Sequence, residues 1–166
     1  MNVRDATQRA CLGLVRFCLS AWVGIAAFFV VLVIELRQSE LFPETIKLNH
    51  PRVLFPLYYG FEFGLLGTAL ICAAAYAWGA KAGAGRRRAL FGLVFAAVLL
   101  AACDYGIIYR TLVEMMQTAQ LGETGLPQLP ARFHELHRMS RWINEAVLAL
   151  TGAAAVLSLS FERPAV

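Results

Sequence analysis

Four stretches of this chain are apolar enough, and long enough with their flanks, to cross a bilayer, and nothing else in it constrains the fold as much. Residues 17–34, 63–80, 89–103 and 146–161 carry no Asp, Glu, Lys or Arg. A hydrocarbon core about 30 Å thick needs about 20 predominantly apolar residues per helix. With their flanks the four stretches predict spans at 12–34, 57–80, 89–109 and 142–161, the third and fourth helices extending beyond the outer membrane face. The expected fold class is therefore all-α, a four-transmembrane-helix antiparallel bundle, with residues 1–166 as a single integral membrane domain. Composition agrees: 59% of the 166 residues are hydrophobic and 16% are charged, against about a quarter charged in soluble domains.

The connections follow from the breakers. No small-x-small cleavage pattern follows the first span before Glu35, so it reads as an uncleaved helix rather than a secretion signal. Residues 35–56 contain Pro43, Pro51 and Pro56, which predicts a loop with no long regular helix. The stretch 79–88, GAKAGAGRRR, is a tight basic loop that makes the second and third spans antiparallel neighbours. Residues 110–120 are good helix formers and prolong the third helix, and 121–130 is a turn-rich connection. Gly60 and Gly64 form a GxxxG, with Gly67 a turn further on, and predict a face where a neighbouring helix packs closely.

Basic residues near short loops set orientation in membrane proteins. Arg86, Arg87 and Arg88 adjoin a span in a short loop, and most acidic residues lie on the opposite side. Both termini are expected in the cytoplasm, as in a multi-pass protein of a bacterial inner membrane. Depth then follows from the helical rise. Asp104 lies about 24 Å from Arg88, Glu62 roughly 28 Å from Lys81, Glu35 roughly 28 Å from Arg16 and Glu145 about 26 Å from Glu162. Each helix thus carries a carboxylate near one level, an outer-leaflet polar belt.

The fourth helix contributes most to that belt. At about 100° per residue, His134, His137, Arg141, Asn144 and Glu145 share an arc of about 100°, with Ser140 just beside it. Ionisable residues within membranes usually face the bundle interior or a wet cavity and count as site candidates. The polar-site candidates are Glu62, Asp104, His137, Ser140, Arg141, Asn144 and Glu145. The structural alternative is a set of mutual ion pairs in interfacial water, with Arg141 bridging Glu145 and Asp104.

Leu54-Phe55-Pro56-Leu57-Tyr58-Tyr59 before the second span, and Phe133 followed by His137-x-x-Ser140-x-x-x-Asn144 at the fourth, resemble a family of small four-helix membrane proteins. That family is catalogued as a domain of unknown function and includes the animal transmembrane protein 205. Trp22-x-Gly24 in the first span and Asp104 near the end of the third sit where the family has similar residues. The family often leaves its third helix through a proline, whereas residues 109–116 have none. The resemblance implies a fold and a membrane location; it implies no reaction.

Cofactor chemistry finds limited support. His134 and His137, three apart on one helical face, cannot sandwich a haem, and His50 would have to descend from a loop to complete a pair. The two histidines plus a carboxylate from another helix suit a divalent metal better, although an HxxH alone more often belongs to a solvated interface helix. No catalytic residue is assigned: Ser140 near His137 lacks an oxyanion-hole pattern, and GAKAGAG lacks the strand and the Lys-Ser/Thr ending of a phosphate loop. Phe55, Tyr58 and Tyr59 suit a ligand groove or, more commonly at this depth, an interfacial aromatic belt. Cys11, Cys18, Cys72 and Cys103 have no metal or redox spacing and read as small apolar filler.

The expected partners are the bilayer and other membrane proteins or a second copy, with no nucleic acid, since the net charge of +4 is a topology signal. The expected function is non-enzymatic: a polar belt that binds or translocates a small cation, proton or polar solute. The alternatives are a structural or assembly role in a larger complex and, behind it, a metal- or haem-dependent oxidoreductase. The topology itself is directly testable. In a variant stripped of native cysteines, Gly83→Cys should resist an impermeant thiol reagent added outside intact cells; labelling from outside would reverse the orientation.

Overall fold

The structure is a computed structural model that describes residues 3–78, 84–118 and 129–162. The basic loop over 79–83 with Lys81, the connection over 119–128, the last residues of the chain and the side chain of His50 lie outside the described residues. Helix α1 is Val3–Gln38 and α2 is Glu44–Ala77. Helix α3, Ala84–Cys103, runs into a π-helical segment, Asp104–Tyr109, and on into α4, Arg110–Thr118. Helix α5 is Ala131–Leu159, closed by a short 3-10 turn, Ser160–Glu162. Among the described residues no strand forms, and four helical stretches are long and apolar enough to cross a membrane. The chain is thus an all-α four-helix bundle of a shape and composition that fit a multi-pass integral membrane protein.

The helices close into a ring, in which α1 packs on α2 and α5, and α3 packs on α2 and α5. Each presents a stripe with the 3.5-residue period of left-handed packing. On α1 it is Leu12, Val15, Leu19, Trp22 and Ala26; on α2 it is Tyr59, Glu62, Leu66, Ala69, Ala73 and Tyr76. On α5 it is Ser140, Val147, Thr151, Ala154 and Ser158. Bulky apolar groups face the other way: Phe17, Phe28, Val31, Ile71, Leu99, Val156 and Leu159 are exposed. An outside more apolar than the inside is what lipid as a solvent selects.

The stripe on α3 explains the π segment. Leu90, Val94, Ala97, Ala101, Asp104 and Ile108 alternate spacings of four and three, but the next buried residue is Leu112, not Thr111. The π turn, with its i→i+5 bonding, takes up one extra residue, so α4 keeps its apolar side on the bundle. A single inserted residue would otherwise rotate that side by about 100°.

Two sequence expectations are overturned. Residues 35–56 are not a long loop, because α1 continues to Gln38 and α2 begins at Glu44 and runs through both Pro51 and Pro56. Each proline removes one backbone N–H, a penalty of about 3 kcal/mol in a helix interior. Here both lie in the N-terminal half of α2, where packing by Phe55, Tyr58 and Tyr59 offsets that penalty: Phe29 meets Phe55 at 5.3 Å and Tyr58 at 4.4 Å between ring centroids. Nor do Gly60 and Gly64 make a close contact within the bundle. Both are exposed, and an added Cβ at either would meet nothing within 4 Å.

At the end opposite the polar centre described below, two arginines tie helices together. Arg16 Nη2 donates to the Ser158 carbonyl at 2.7 Å, joining α1 to α5. Arg87 Nη1 donates to the Tyr76 carbonyl at 3.2 Å and to Gln8 Oε1 at 3.3 Å, and its guanidinium lies 4.2 Å from the Tyr76 ring centroid. Packing predicts a clear contrast between faces. Ala97→Leu, on a fully buried position, should lower stability in detergent by about 1–3 kcal/mol through overpacking. Gly64→Ala should leave it unchanged or raise it by up to about 1 kcal/mol; a large loss there would place Gly64 in a tight helix contact.

Candidate functional site

Asp104, the first residue of the π turn, is 1% exposed and accepts three hydrogen bonds on one oxygen. Tyr59 Oη donates to Asp104 Oδ2 at 2.7 Å, Asn144 Nδ2 at 2.8 Å and Ser140 Oγ at 3.1 Å. Asn144 Nδ2 also donates to the Ser140 carbonyl at 2.9 Å, and Asn144 Oδ1 accepts from Tyr58 Oη at 2.9 Å. The amide can point only one way: reversed, it would set an oxygen against the carboxylate. The chain Tyr58–Asn144–Asp104–Tyr59 therefore joins α2, α3 and α5 through side chains alone.

Glu62 sits one turn after Tyr58 on the inner stripe of α2 and is also 1% exposed. Neither of its carboxyl oxygens has a hydrogen-bond partner, and Asp104 Oδ1 and the Trp22 indole nitrogen are likewise buried without one. Trp22, on α1, rests against Tyr58 with ring centroids 5.0 Å apart. Asp104 acts electrostatically on Glu62. The centre thus holds two carboxyls from adjacent helices, one held by three donors and one without any. A buried ionised carboxylate left unpaired costs several kcal/mol. Something that neutralises charge at Glu62 would remove most of that cost.

An aromatic wall encloses the centre on the side of α2 and the π turn. Tyr59 lies 5.0 Å from both Tyr105 and Tyr109, and Tyr105 stacks on Tyr109 at 5.6 Å. Phe55 stacks on Tyr109 at 6.1 Å and Phe63 meets Tyr105 edge-on at 5.6 Å. Tyr58 and Tyr59 therefore point into the bundle, not into an interfacial belt, and their hydroxyls belong to the polar network. Trp78 and Trp142, by contrast, are exposed.

The candidates read from sequence divide into two groups. Glu62, Asp104, Ser140 and Asn144 converge, with Tyr58 and Tyr59. His134, His137, Arg141 and Glu145 face outward. The expected bridge from Arg141 to Asp104 is not made: Arg141 Nε reaches Glu145 Oε1 at 3.7 Å, with both side chains about two-thirds exposed, 67% and 66%. The reason is helical phase. Within an arc of about 100°, only the edge carrying Ser140 and Asn144 faces the other helices. His137 stacks on Phe133 at 6.2 Å, with the rings 3° from parallel. Among the described residues, no three His, Cys, Asp or Glu side chains come together as a metal-holding group.

Tyr58, Tyr59 and Trp22 are the members that sequence reasoning did not place in the centre. Their signal was available: Tyr59 lies on the heptad stripe of α2 that also carries Glu62, and Trp22 on the corresponding stripe of α1. Compared with known proteins, the chain matches no family, no curated protein and no solved structure.

The geometry predicts which residues are energetically coupled. Asp104→Asn and Tyr59→Phe should each destabilise the detergent-solubilised protein, the latter by about 1.5–3 kcal/mol as a bond to a charged group is lost. A double-mutant cycle between them should show an interaction energy. Arg141→Gln should change stability by no more than about 1 kcal/mol, as for exposed pairs. Coupling between Arg141 and Asp104 in the same cycle would contradict this assignment.

Proposed function

We propose that this chain is a non-enzymatic integral membrane protein whose polar centre binds a small cation or a proton and, by exchanging it, passes it on. One observation carries the reading. Glu62 and Asp104 are both buried and close enough to interact, and three of their four carboxyl oxygens have no partner. Intramembrane carboxyls are costly and mark ion and proton pathways more often than scaffolds. The resemblance to the four-helix membrane family adds a fold and a location to this reading, and no reaction.

Under the orientation expected from the basic residues, the centre lies nearer the outer leaflet, the side with which exchange is expected. The test is a stability profile. The thermal midpoint of the purified protein should respond to pH, or to one of sodium, potassium, lithium or magnesium. Glu62→Gln and Asp104→Asn should each remove or reshape that response. Midpoints that move with neither pH nor cations, in parallel curves for all three proteins, would make the carboxyls scaffold and favour an assembly role.

A further inference from the structure

We propose that the occupant of this centre is a proton carried by the Glu62 carboxyl itself, with Asp104 as the fixed, charged anchor beside it; this deepens the reading above and rests on it.

The two carboxyls are not equivalent. Asp104 Oδ2 receives two hydroxyl donors and one amide donor, and a proton on either oxygen of that carboxyl, the unmatched Oδ1 included, would withdraw the charge that all three bind. Donors converging on one carboxylate oxygen stabilise its charge. Glu62 receives none. With one negative charge already fixed at Asp104, a second unpaired charge on Glu62 would meet both the desolvation cost and like-charge repulsion. A proton on Glu62 removes both and leaves only unpaired neutral polar atoms, a cost of about 1–3 kcal/mol.

A divalent metal cation fits the same atoms poorly. Hard divalent cations take six or more oxygen ligands, whereas the unmatched oxygens here are Glu62 Oε1, Glu62 Oε2 and Asp104 Oδ1. The third unmatched side chain, Trp22, is a donor whose N–H repels a cation and suits the lone pair of a water molecule. Water is also the carrier the step requires. The Glu62 O–H bond breaks, its electron pair stays on the carboxylate, and the proton leaves as hydronium; protonation is the reverse.

The surroundings keep the titrating unit simple. Asp104 acts on Glu62 from the π turn, and Tyr58 and Tyr59 share its helix with their hydroxyls engaged as donors. Helix α1 brings Trp22 to this level, and α5 brings Ser140 and Asn144, which keep their charge in the accessible pH range; a further titratable group of α5 that interacts with Asp104 is His137, whose exposed ring lies on the outward side of that helix.

Infrared spectroscopy of the purified protein near neutral pH, in H2O and in D2O, tests the assignment. A neutral carboxylic-acid carbonyl band should be present, shift on deuteration, vanish in Glu62→Gln and persist in Asp104→Asn. Glu62→Asp, which keeps an acid on the same turn, should retain a displaced band even if the Gln variant folds poorly. Loss of the band in Asp104→Asn but not in Glu62→Gln would overturn the division of roles. A band insensitive to D2O would make the proton static and overturn exchange. No band, together with stabilisation by an added metal cation, would overturn the proton while leaving a cation-binding centre intact. No band and no cation response would remove both.

Discussion

The carboxylate of Asp104, with three donors on one oxygen, is the contact on which the polar end of this bundle depends. Its donors come from α2 and α5, and it sits at the start of the π turn, so three helices meet at one atom. In lipid there is no water to compensate an unpaired charge, so the energetic consequence of misplacing any donor is larger than it would be at a soluble surface. The π turn follows from the same requirement. It fixes Asp104 on the inner stripe and still returns Ile108 and Leu112 to the bundle, so the polar contact and the apolar packing of α4 are both kept.

Set against that anchor, Glu62 is the unbalanced group. It occupies a heptad position between Tyr59 and Leu66 where an apolar side chain would pack without penalty. A carboxyl in that place lowers stability, and the two helices that supply donors so fully to Asp104 supply none to Glu62. The contrast is easier to understand as a requirement for a changeable occupant than as a failure of packing. Buried polar groups in folded proteins are nearly always matched, and here Glu62 and Trp22 stand unmatched beside the matched oxygen of Asp104.

How much of this was legible in the sequence depends on which physical property was being read. Span number and fold class were legible because apolar length is a property of composition, which survives without any knowledge of neighbours. The common level of Glu62 and Asp104 was legible because helical rise is constant. Which face of α5 turned inward was not: an arc containing His137, Arg141, Asn144 and Glu145 is wide enough to straddle the boundary between bundle and exterior. The 3.5-residue recurrence of Ser140, Asn144, Val147, Thr151, Ala154 and Ser158 would have resolved it. The helix through Pro51 and Pro56 was hidden because proline's local preference is strong, and only the packing of Phe29 on Phe55 and Tyr58 overrides it. The π turn was hidden as well, since it arises from a one-residue slip in the buried pattern rather than from any residue type.

Between membrane helices the lipid supplies little hydrophobic drive, because its tails are as apolar as the side chains they replace. Association must then come from close packing and from polar contacts. In this chain Ala69, Ala73, Ala97, Ala101 and Ala154 allow the middle of the bundle to pack closely, while polar contacts concentrate at its two ends. At one end Arg16 and Arg87 donate to backbone carbonyls, contacts that no change of protonation near neutral pH would alter. At the other end the contacts run through Asp104 and beside Glu62, so adding or removing one charge there acts on the joints among α2, the π turn and α5. Occupancy and helix packing are consequently linked at one end and independent at the other.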